Sequence, residues 1–244
     1  MRTLTGNLGF GSMRNTSNTV LLINSDTTDG STTFTDSSSS GHTITANGNA
    51  QHDTAQKKFG ASSMLFDGTG DYLTIPDHAD WNLGTGIYTI DWWMRIAELP
   101  AEGEEQGIWG QYGDSTNSIS CLLNKNGGFY YILFWVRTDG GSDSLRQAGW
   151  LTPVINQWYH IAWIKGWAGA AANSAVCVDG KKISGPYVGV TTMPDLSGTF
   201  DIGKAYFSAD VENKYFNGHI DGFRIVKGET MWKSDFIPPA GPYS

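Results

Sequence analysis

Short apolar and aromatic runs recur along the chain from Phe59 onward, separated by turns rich in glycine, asparagine and aspartate. Residues 88–96 (YTIDWWMRI) and 158–166 (WYHIAWIKG) show the alternation typical of β-strands, whose successive side chains point to opposite faces of a sheet. Neither segment has a purely polar side, so both faces of each strand are expected to be covered. The dipeptides Asp179-Gly180 and Asn217-Gly218 lie between such runs and predict hairpin turns.

Helix signals are nearly absent, and one turn is expected in residues 77–83 (DHADWNL). Many short strands joined by tight turns predict an all-β sandwich of two antiparallel sheets. No linker rich in proline or serine divides the chain, so a single domain is expected over residues 18–244. Residues 1–17 are polar, with two arginines and no acid, and they predict an N-terminal arm outside the core.

Composition narrows the classes of function. The chain of 244 residues has 13% aromatic residues, 16% charged residues and 31 glycines, which fits strands and turns rather than disorder. A formal net charge of −8, with scattered basic residues, disfavours nucleic-acid binding. No apolar run approaches the roughly 20 residues that cross a bilayer, so membrane insertion is not expected. The first residues lack the apolar segment of a signal peptide, so an extracellular location would require another exit route, such as lysis.

The cysteines and histidines leave open alternatives. Cys121 and Cys177 lie in separate predicted strands, where they either form a disulfide or pack as two buried thiols. The histidines show neither His-x-x-x-His nor His-x-His spacing, which leaves a zinc site unsupported. His160 lies within a predicted strand and is expected to be a packed core residue.

The order of motifs over residues 18–244 resembles the concanavalin A-like lectin/glucanase superfamily, and more narrowly its laminin G/pentraxin-like branch. The segments that carry the resemblance are residues 29–48, 58–77, 88–96, 157–165, 176–183, 216–228 and 234–239. The resemblance implies a jelly-roll β-sandwich of two antiparallel sheets, with the N- and C-terminal strands adjacent. Domains with this Ser/Thr-rich opening look similar to ones found in phage virion proteins.

Because the superfamily includes glucanases, we consider catalysis. Retaining glycosidases hold two carboxyl groups about 5–5.5 Å apart. In the glucanase branch these groups lie in a Glu-x-Asp-x-Glu strand, which this sequence lacks. Glu102, Glu104 and Glu105 are expected to be solvated in a loop, and neither a Gly-x-Ser-x-Gly elbow nor a P-loop is present. We therefore expect that the protein is not an enzyme.

Relatives often bind calcium near the junction of the N- and C-terminal segments, and the resemblance places candidate ligands there. They are Asp36 and Asp221, supplemented by backbone carbonyls near His42. The family's asparagine after Ser-Gly is absent, and Gly222 stands where an acid commonly follows Asp221. Calcium takes six to eight oxygen ligands, so the loss of one anionic ligand would weaken the site. Alternatively, Asp36 caps a turn of its own backbone.

Aromatic side chains supply candidates for sugar recognition, in which flat rings pack against the C–H faces of a pyranose. The candidates are Trp93, Trp135 and Tyr112, together with Trp150 and Trp167 in apparent turns. The alternative is that these rings pack into the sandwich or over its edge.

Two functions follow from these patterns. The first is a glycan-binding protein with a lectin-type fold, displayed on a virus particle or a cell surface. The alternative is a structural decoration or fibre protein that contacts other capsid or fibre proteins. Proteins of that second class are usually symmetric oligomers, so a homo-oligomer is a further expectation.

Overall fold

The computed structural model describes residues 15–138, 144–150, 152–188, 192–207 and 212–244, except for the side chains of 144–148, 150, 184–188, 207 and 212. Most of the expected N-terminal arm therefore lies outside the described residues. The described part is all-β, with two single 3-10 turns at Ala79–Trp81 and Trp167–Gly169. Its strands are β1 Thr19–Ile23, β2 Thr45–Asn47, β3 Gln51–Asp53, β4 Ser63–Asp67, β5 Tyr72–Ile75, β6 Tyr88–Ile96, β7 Glu105–Asp114, β8 Asn117–Asn126, β9 Phe129–Arg137, β10 Ser144–Trp150, β11 Trp158–Lys165, β12 Asn173–Val178, β13 Lys181–Val188, β14 Phe200–Ile202, β15 Lys204–Phe207, β16 Glu212–Tyr215 and β17 Asn217–Lys227.

Two antiparallel sheets form the sandwich. The 8-stranded sheet has the order β13-β12-β11-β6-β17-β4-β3, and β1 pairs with the second half of β17. The 7-stranded sheet has the order β10-β9-β8-β7-β14-β5-β2, while β15 and β16 pair with each other as a separate ribbon. The all-β jelly-roll expectation is confirmed, and the first and last described strands are neighbours as the resemblance implies.

The two hairpin predictions have different outcomes. Asp179 and Gly180 both have positive φ, 48° and 72°, and they join β12 to β13 as the sequence predicts. The prediction at Asn217-Gly218 is wrong, because both residues lie inside β17. A Cβ atom at Gly218 would lie 2.2 Å from the carbonyl oxygen of Arg95 on β6. The glycine there permits close approach of two strands rather than a turn.

Aromatic residues fill the space between the sheets. Trp92 of β6 contacts Trp109 of β7 edge to face, with ring centroids 6.2 Å apart. Trp163 of β11 stacks on Phe134 of β9 at 4.4 Å and on Trp109 at 6.0 Å. These rings join the two sheets into one core, since aromatic pairs contribute about 0.5–1.5 kcal/mol beyond their buried area.

The C-terminal segment 228–244 covers the outer face of the 8-stranded sheet. Trp232 stacks on Phe236 at 4.0 Å and packs with Ala162 and Cys177 in a second apolar cluster. Both faces of β6 and β11 are therefore covered, as their alternation predicts.

The two cysteines lie on opposite faces of the structure's sheets. Cys121 belongs to the core between the sheets, whereas Cys177 belongs to the outer cluster, and both are free thiols. The disulfide alternative is wrong.

A buried polar network fixes the C-terminal segment to the sheet. The Asp91 carboxylate accepts hydrogen bonds from Arg224 Nε at 3.0 Å, from the Tyr243 hydroxyl and from His160 Nε2 at 3.3 Å. Burial alone would raise the pKa of Asp91, but Arg224 and His160 outweigh it and hold the pKa below its usual range. The aspartate is therefore ionised and paired, and His160 is the packed residue that its strand position predicts.

The ribbon of β15 and β16 lies over the outer face of the 7-stranded sheet. Two glycines of β7 make this contact possible. A Cβ atom at Gly107 would lie 2.1 Å from the carbonyl oxygen of Lys214 and 2.3 Å from the amide nitrogen of Ala205. At Gly110 it would lie 3.3 Å from the Cα atom of Ala205. The ribbon thereby brings its side chains beside those of β5 and β7.

Candidate functional site

Four half-buried tyrosines follow one another across the outer face of the 7-stranded sheet. We name Tyr112, Tyr206, Tyr72 and Tyr215 the tyrosine strip. The ring centroids of Tyr112 and Tyr206 are 4.8 Å apart, and those of Tyr72 and Tyr215 are 6.1 Å apart. Between the two pairs lies the Lys204 ammonium, 5.2 Å from the Tyr206 ring and 3.8 Å from the Tyr72 ring. The strip combines partly exposed aromatic rings with phenol hydroxyl groups.

A buried carboxylate fixes the centre of the strip. Asp201 on β14 is fully buried, and its Oδ2 accepts the Tyr206 hydroxyl at 2.7 Å and pairs with Lys204 Nζ at 2.9 Å. Its Oδ1 accepts the hydroxyl of Thr74 at 3.0 Å. Burial and the Asp201 charge both raise the pKa of Tyr206, so the phenol stays protonated. The Tyr206 ring is therefore held in a fixed orientation, which lowers the entropy cost of binding a ligand on it.

The strip ends in an open cavity of about 410 Å³ at one end of the sandwich. Tyr215 lines the cavity together with the corner 67–69, the loop 98–101 and the first residues of β7. The volume is within the range of about 300–1,000 Å³ common for small-molecule sites.

Amide and carboxylate groups hold the cavity wall in place. The Asn217 side chain donates to Glu98 Oε2 at 3.1 Å, and its backbone amide donates to Gln106 Oε1 at 3.2 Å. The Gln106 amide nitrogen in turn donates to the Glu98 carbonyl oxygen at 2.9 Å. These side chains present paired donors and acceptors in fixed positions, which is what hydrogen bonding to adjacent hydroxyl groups requires.

Acidic side chains dominate the charge of the cavity. Its lining includes four acids, Asp67, Glu98, Glu104 and Glu105, and one base, Lys214. Lys214 Nζ lies 3.8 Å from Glu104 and 3.7 Å from Glu105. The local potential therefore disfavours anionic ligands.

The expectation that all three loop acids are solvated needs correction. The Glu105 side chain is only 7% exposed, because it begins β7 and accepts a hydrogen bond from the Asn124 amide at 2.9 Å. Burial raises its pKa, although Lys214 and Asn124 act in the opposite direction. Glu102 remains exposed and accepts the backbone amides of Gly127 and Gly128.

The structure separates the aromatic candidates. Tyr112 belongs to the tyrosine strip, and Trp135 lies partly buried against the apolar cluster of Leu122, Leu133 and Ala205. Trp93 and Trp167 are only 5% and 6% exposed, so an exposed ligand platform at either residue is wrong. Trp93 is covered by the Lys58 ammonium at 3.9 Å, and Trp167 packs in the outer apolar cluster. The side chain of Trp150 lies outside the described residues.

The proposed calcium ligands do not form one site. Asp36 accepts four hydrogen bonds, from the amides of Leu22, Ser38 and His42 and from the Ser38 hydroxyl. A carboxylate offers about four lone-pair positions, so these bonds occupy all of them. Asp36 is the turn cap that the sequence left as the alternative.

Asp221 lies against a different part of the chain. Its Oδ2 accepts the backbone amides of Lys58 and Phe59 at 2.9 and 3.0 Å. Burial raises its pKa to about 7, despite these bonds. The His42 ring instead contacts Asp80. The set Asp36, His42 and Asp221 therefore does not fit a calcium ion.

Sequence reasoning missed Tyr72, Tyr215 and the cavity beside them. Tyr72 begins β5 and Tyr215 ends β16, 143 positions later along the chain, yet their rings are neighbours on the sheet. Tyrosine is common in strands, so neither residue carries a local sequence signal.

No helix of the described residues has the length and apolar character needed to cross a membrane.

Solved structures with the same fold include carbohydrate-binding domains. Domain 4 of AbnA, a GH43 extracellular arabinanase from Geobacillus stearothermophilus in complex with arabinotriose, is 18% identical, with a TM-score of 0.59 over 86% of this chain and 93% of that one. The binding domain of Botulinum Neurotoxin DC in complex with SialylT is 13% identical, with a TM-score of 0.62 over 88% of this chain and 48% of that one. This chain thus spans about half the length of the toxin domain.

A family model described as the concanavalin A-like lectin/glucanases superfamily matches residues 67–231, more than half of the chain. No curated protein sequence matches the chain. The matched residues run from the last residue of β4 to the segment after β17, so they include strands β5 to β17 and the residues that line the cavity. The chain belongs to the concanavalin A-like lectin/glucanases superfamily.

Proposed function

We propose that the protein is a non-catalytic glycan-binding domain. The observation that carries the proposal is the tyrosine strip that leads into a polar cavity. Sugars present apolar C–H faces and hydroxyl edges together, and the strip and the cavity offer a partner for each. The Tyr206 ring held by Asp201 and the Asn217 amide held by Glu98 would bind a glycan with little rearrangement.

The similar structures support a glycan as the ligand class. One holds arabinotriose and another holds SialylT, on domains with the same fold. Their identity to this chain is 18% or less, so they support the fold and the plausibility of the ligand class, not the position of a site.

The charge of the cavity favours a neutral glycan. Four acids and one lysine line it, so a sialylated or sulfated sugar would approach like charges. Neutral hydroxyl groups instead have carboxylate acceptors in Glu98 and Glu104 and an amide in Gln106. The proposed ligand is a neutral oligosaccharide long enough to contact both the cavity and Tyr72.

The proposal extends to display on a virus particle or a cell surface, where a glycan-binding domain would act as an adhesin. The alternative, a decoration or fibre domain that binds another protein, draws support from a neighbour of the same fold. That neighbour, a Botulinum neurotoxin DC binding domain, was solved in complex with rat synaptotagmin II.

A broad glycan array tests the proposal. We expect the purified protein to bind neutral oligosaccharides in calcium and equally in a chelator, since the expected calcium ligands do not form a site. The bound glycans should remain intact on prolonged incubation. Binding to no glycan would contradict the proposal and favour the protein-contact alternative. Release of shorter sugars would contradict the non-catalytic assignment.

A further inference from the structure

Two histidines and one aspartate that are distant in sequence meet near the 3-10 turn Ala79–Trp81. His42 lies on the loop before β2, while His78 and Asp80 lie on the segment after β5. The Asp80 Oδ2 atom is 3.0 Å from His42 Nε2 and 3.2 Å from His78 Nδ1. All three atoms lie within 4.8 Å of one another. In an ideal tetrahedral zinc site the ligand atoms are about 3.3 Å apart, so small adjustments would complete this arrangement.

His78 caps the 3-10 turn and also faces the Asp80 carboxylate. Its Nδ1 atom lies 3.2 Å from the backbone nitrogen of Asp80, whose N–H it accepts, and 3.2 Å from Asp80 Oδ2. Asp80 Oδ2 is thus within 3.2 Å of a ring nitrogen of each histidine, close to the spacing of ligand atoms around one ion.

The surroundings hold two of the three ligands in place. The His42 side chain is 9% exposed and lies against the Trp81 ring at 4.6 Å. The Ser40 hydroxyl donates to Asp80 Oδ2 at 2.8 Å and so orients the carboxylate. Such supporting bonds raise metal affinity by fixing the ligands. The His78 side chain is 52% exposed, so it has room to adjust to an ion and leaves one side of the site open to water.

Among the described residues, the remaining histidines offer no comparable site. His52, His160 and His219 are all buried, and their rings are hydrogen-bonded to Thr33, Asp91 and Asp53 respectively. Zinc binding through imidazole would therefore occur at His42 and His78.

From this geometry we propose that His42, His78 and Asp80 bind one divalent transition-metal ion, with zinc as the fitting ion and a fourth position open to water or another ligand. Imidazole nitrogen with one carboxylate suits zinc, whereas calcium and magnesium prefer oxygen ligands. The ion would join the loop before β2 to the segment after β5. Tyr72 begins β5 and the metal cluster follows its other end, so the site is separate from the proposed glycan surface.

Isothermal titration of the untagged protein with zinc chloride tests the proposal, with calcium and magnesium chloride as comparisons. We expect one equivalent of zinc to bind and to raise the melting temperature, with neither effect from calcium or magnesium. His78→Asn should preserve the cap, because asparagine is a favourable N-cap residue, yet it should weaken zinc binding at least about tenfold. Asp80→Asn should also weaken zinc binding at least about tenfold.

Asp77→Asn is the matched control, because it removes an exposed acid from the same segment outside the cluster. It should leave zinc affinity unchanged. No saturable zinc binding by the wild-type protein would overturn the proposal. Unchanged affinity in His78→Asn would also overturn it, and that variant decides the question even if Asp80→Asn fails to fold, since His78 is half exposed.

Discussion

Replacing Asp91 with asparagine should destabilise the fold strongly, because it removes the carboxylate that pairs with the buried Arg224 guanidinium. Both side chains are fully buried, and Arg224 Nε and one terminal nitrogen donate to the carboxylate at 3.0 and 3.2 Å. Removing one partner of a buried ion pair costs about 3–5 kcal/mol. For a domain of this size the loss corresponds to a fall in melting temperature of roughly 6–20 °C.

Urea denaturation at pH 7, followed by tryptophan fluorescence, measures this loss, and Tyr243→Phe is the graded control. That variant removes one hydrogen bond to the same carboxylate and leaves the ion pair, so it should cost about 1.5–3 kcal/mol. Because Arg224 and His160 keep the pKa of Asp91 below its usual range, the Asp91→Asn loss should be the same at pH 5 and pH 7. A loss below about 1 kcal/mol for Asp91→Asn would refute the reasoning.

Three further predictions concern other buried groups. Burial raises the pKa of Asp221 from 3.8 to about 7, so the folded state retains a proton that the unfolded state loses, and stability falls as pH rises from about 4 to 7. Asp221→Asn should remove that decline, worth up to about 4 kcal/mol, which melting curves at pH 5 and pH 8 would reveal. Gly107→Ala should displace the ribbon and lower the melting temperature sharply, because the added Cβ would meet backbone atoms of Lys214 and Ala205. An unchanged melting temperature would show that the ribbon does not lie against β7. Cys121 and Cys177 should resist a thiol reagent until the protein unfolds, since both are buried and burial raises the pKa of Cys177 to about 12. Rapid labelling of the native protein would contradict the buried placement of the two thiols.

Alternation along the strands was enough to predict the sandwich, but it did not identify what each glycine does. Tyr88, Ile90 and Trp92 share one face of β6 and do face the other sheet. Asp179-Gly180 and Asn217-Gly218 look alike in sequence, yet only the first forms a turn. The difference is tertiary, because Gly218 lies where the β6 backbone passes too closely for a Cβ atom.

The site was less predictable because its residues come from distant strands. Trp167 was a candidate for sugar contact in an apparent turn, but the ring packs under the C-terminal segment, whose course the local sequence does not specify. Tyr72 and Tyr215 are neighbours only because the ribbon lies over β7. The same limit applies to His42 and His78, whose separation along the chain concealed their proximity.

The central claim is tested most directly by calorimetric titration of a neutral oligosaccharide that binds on the array. The sugar is titrated into the wild-type protein and into the variants Tyr215→Ala and Ile237→Ala. Tyr215 joins the strip to the cavity, whereas Ile237 is 48% exposed on the segment that covers the other sheet. With all three proteins equally folded, we predict at least a tenfold loss of affinity for Tyr215→Ala, about 1.4 kcal/mol, and none for Ile237→Ala. Equal affinity of Tyr215→Ala and the wild-type protein would contradict the assignment of the tyrosine strip and cavity as the glycan-binding surface.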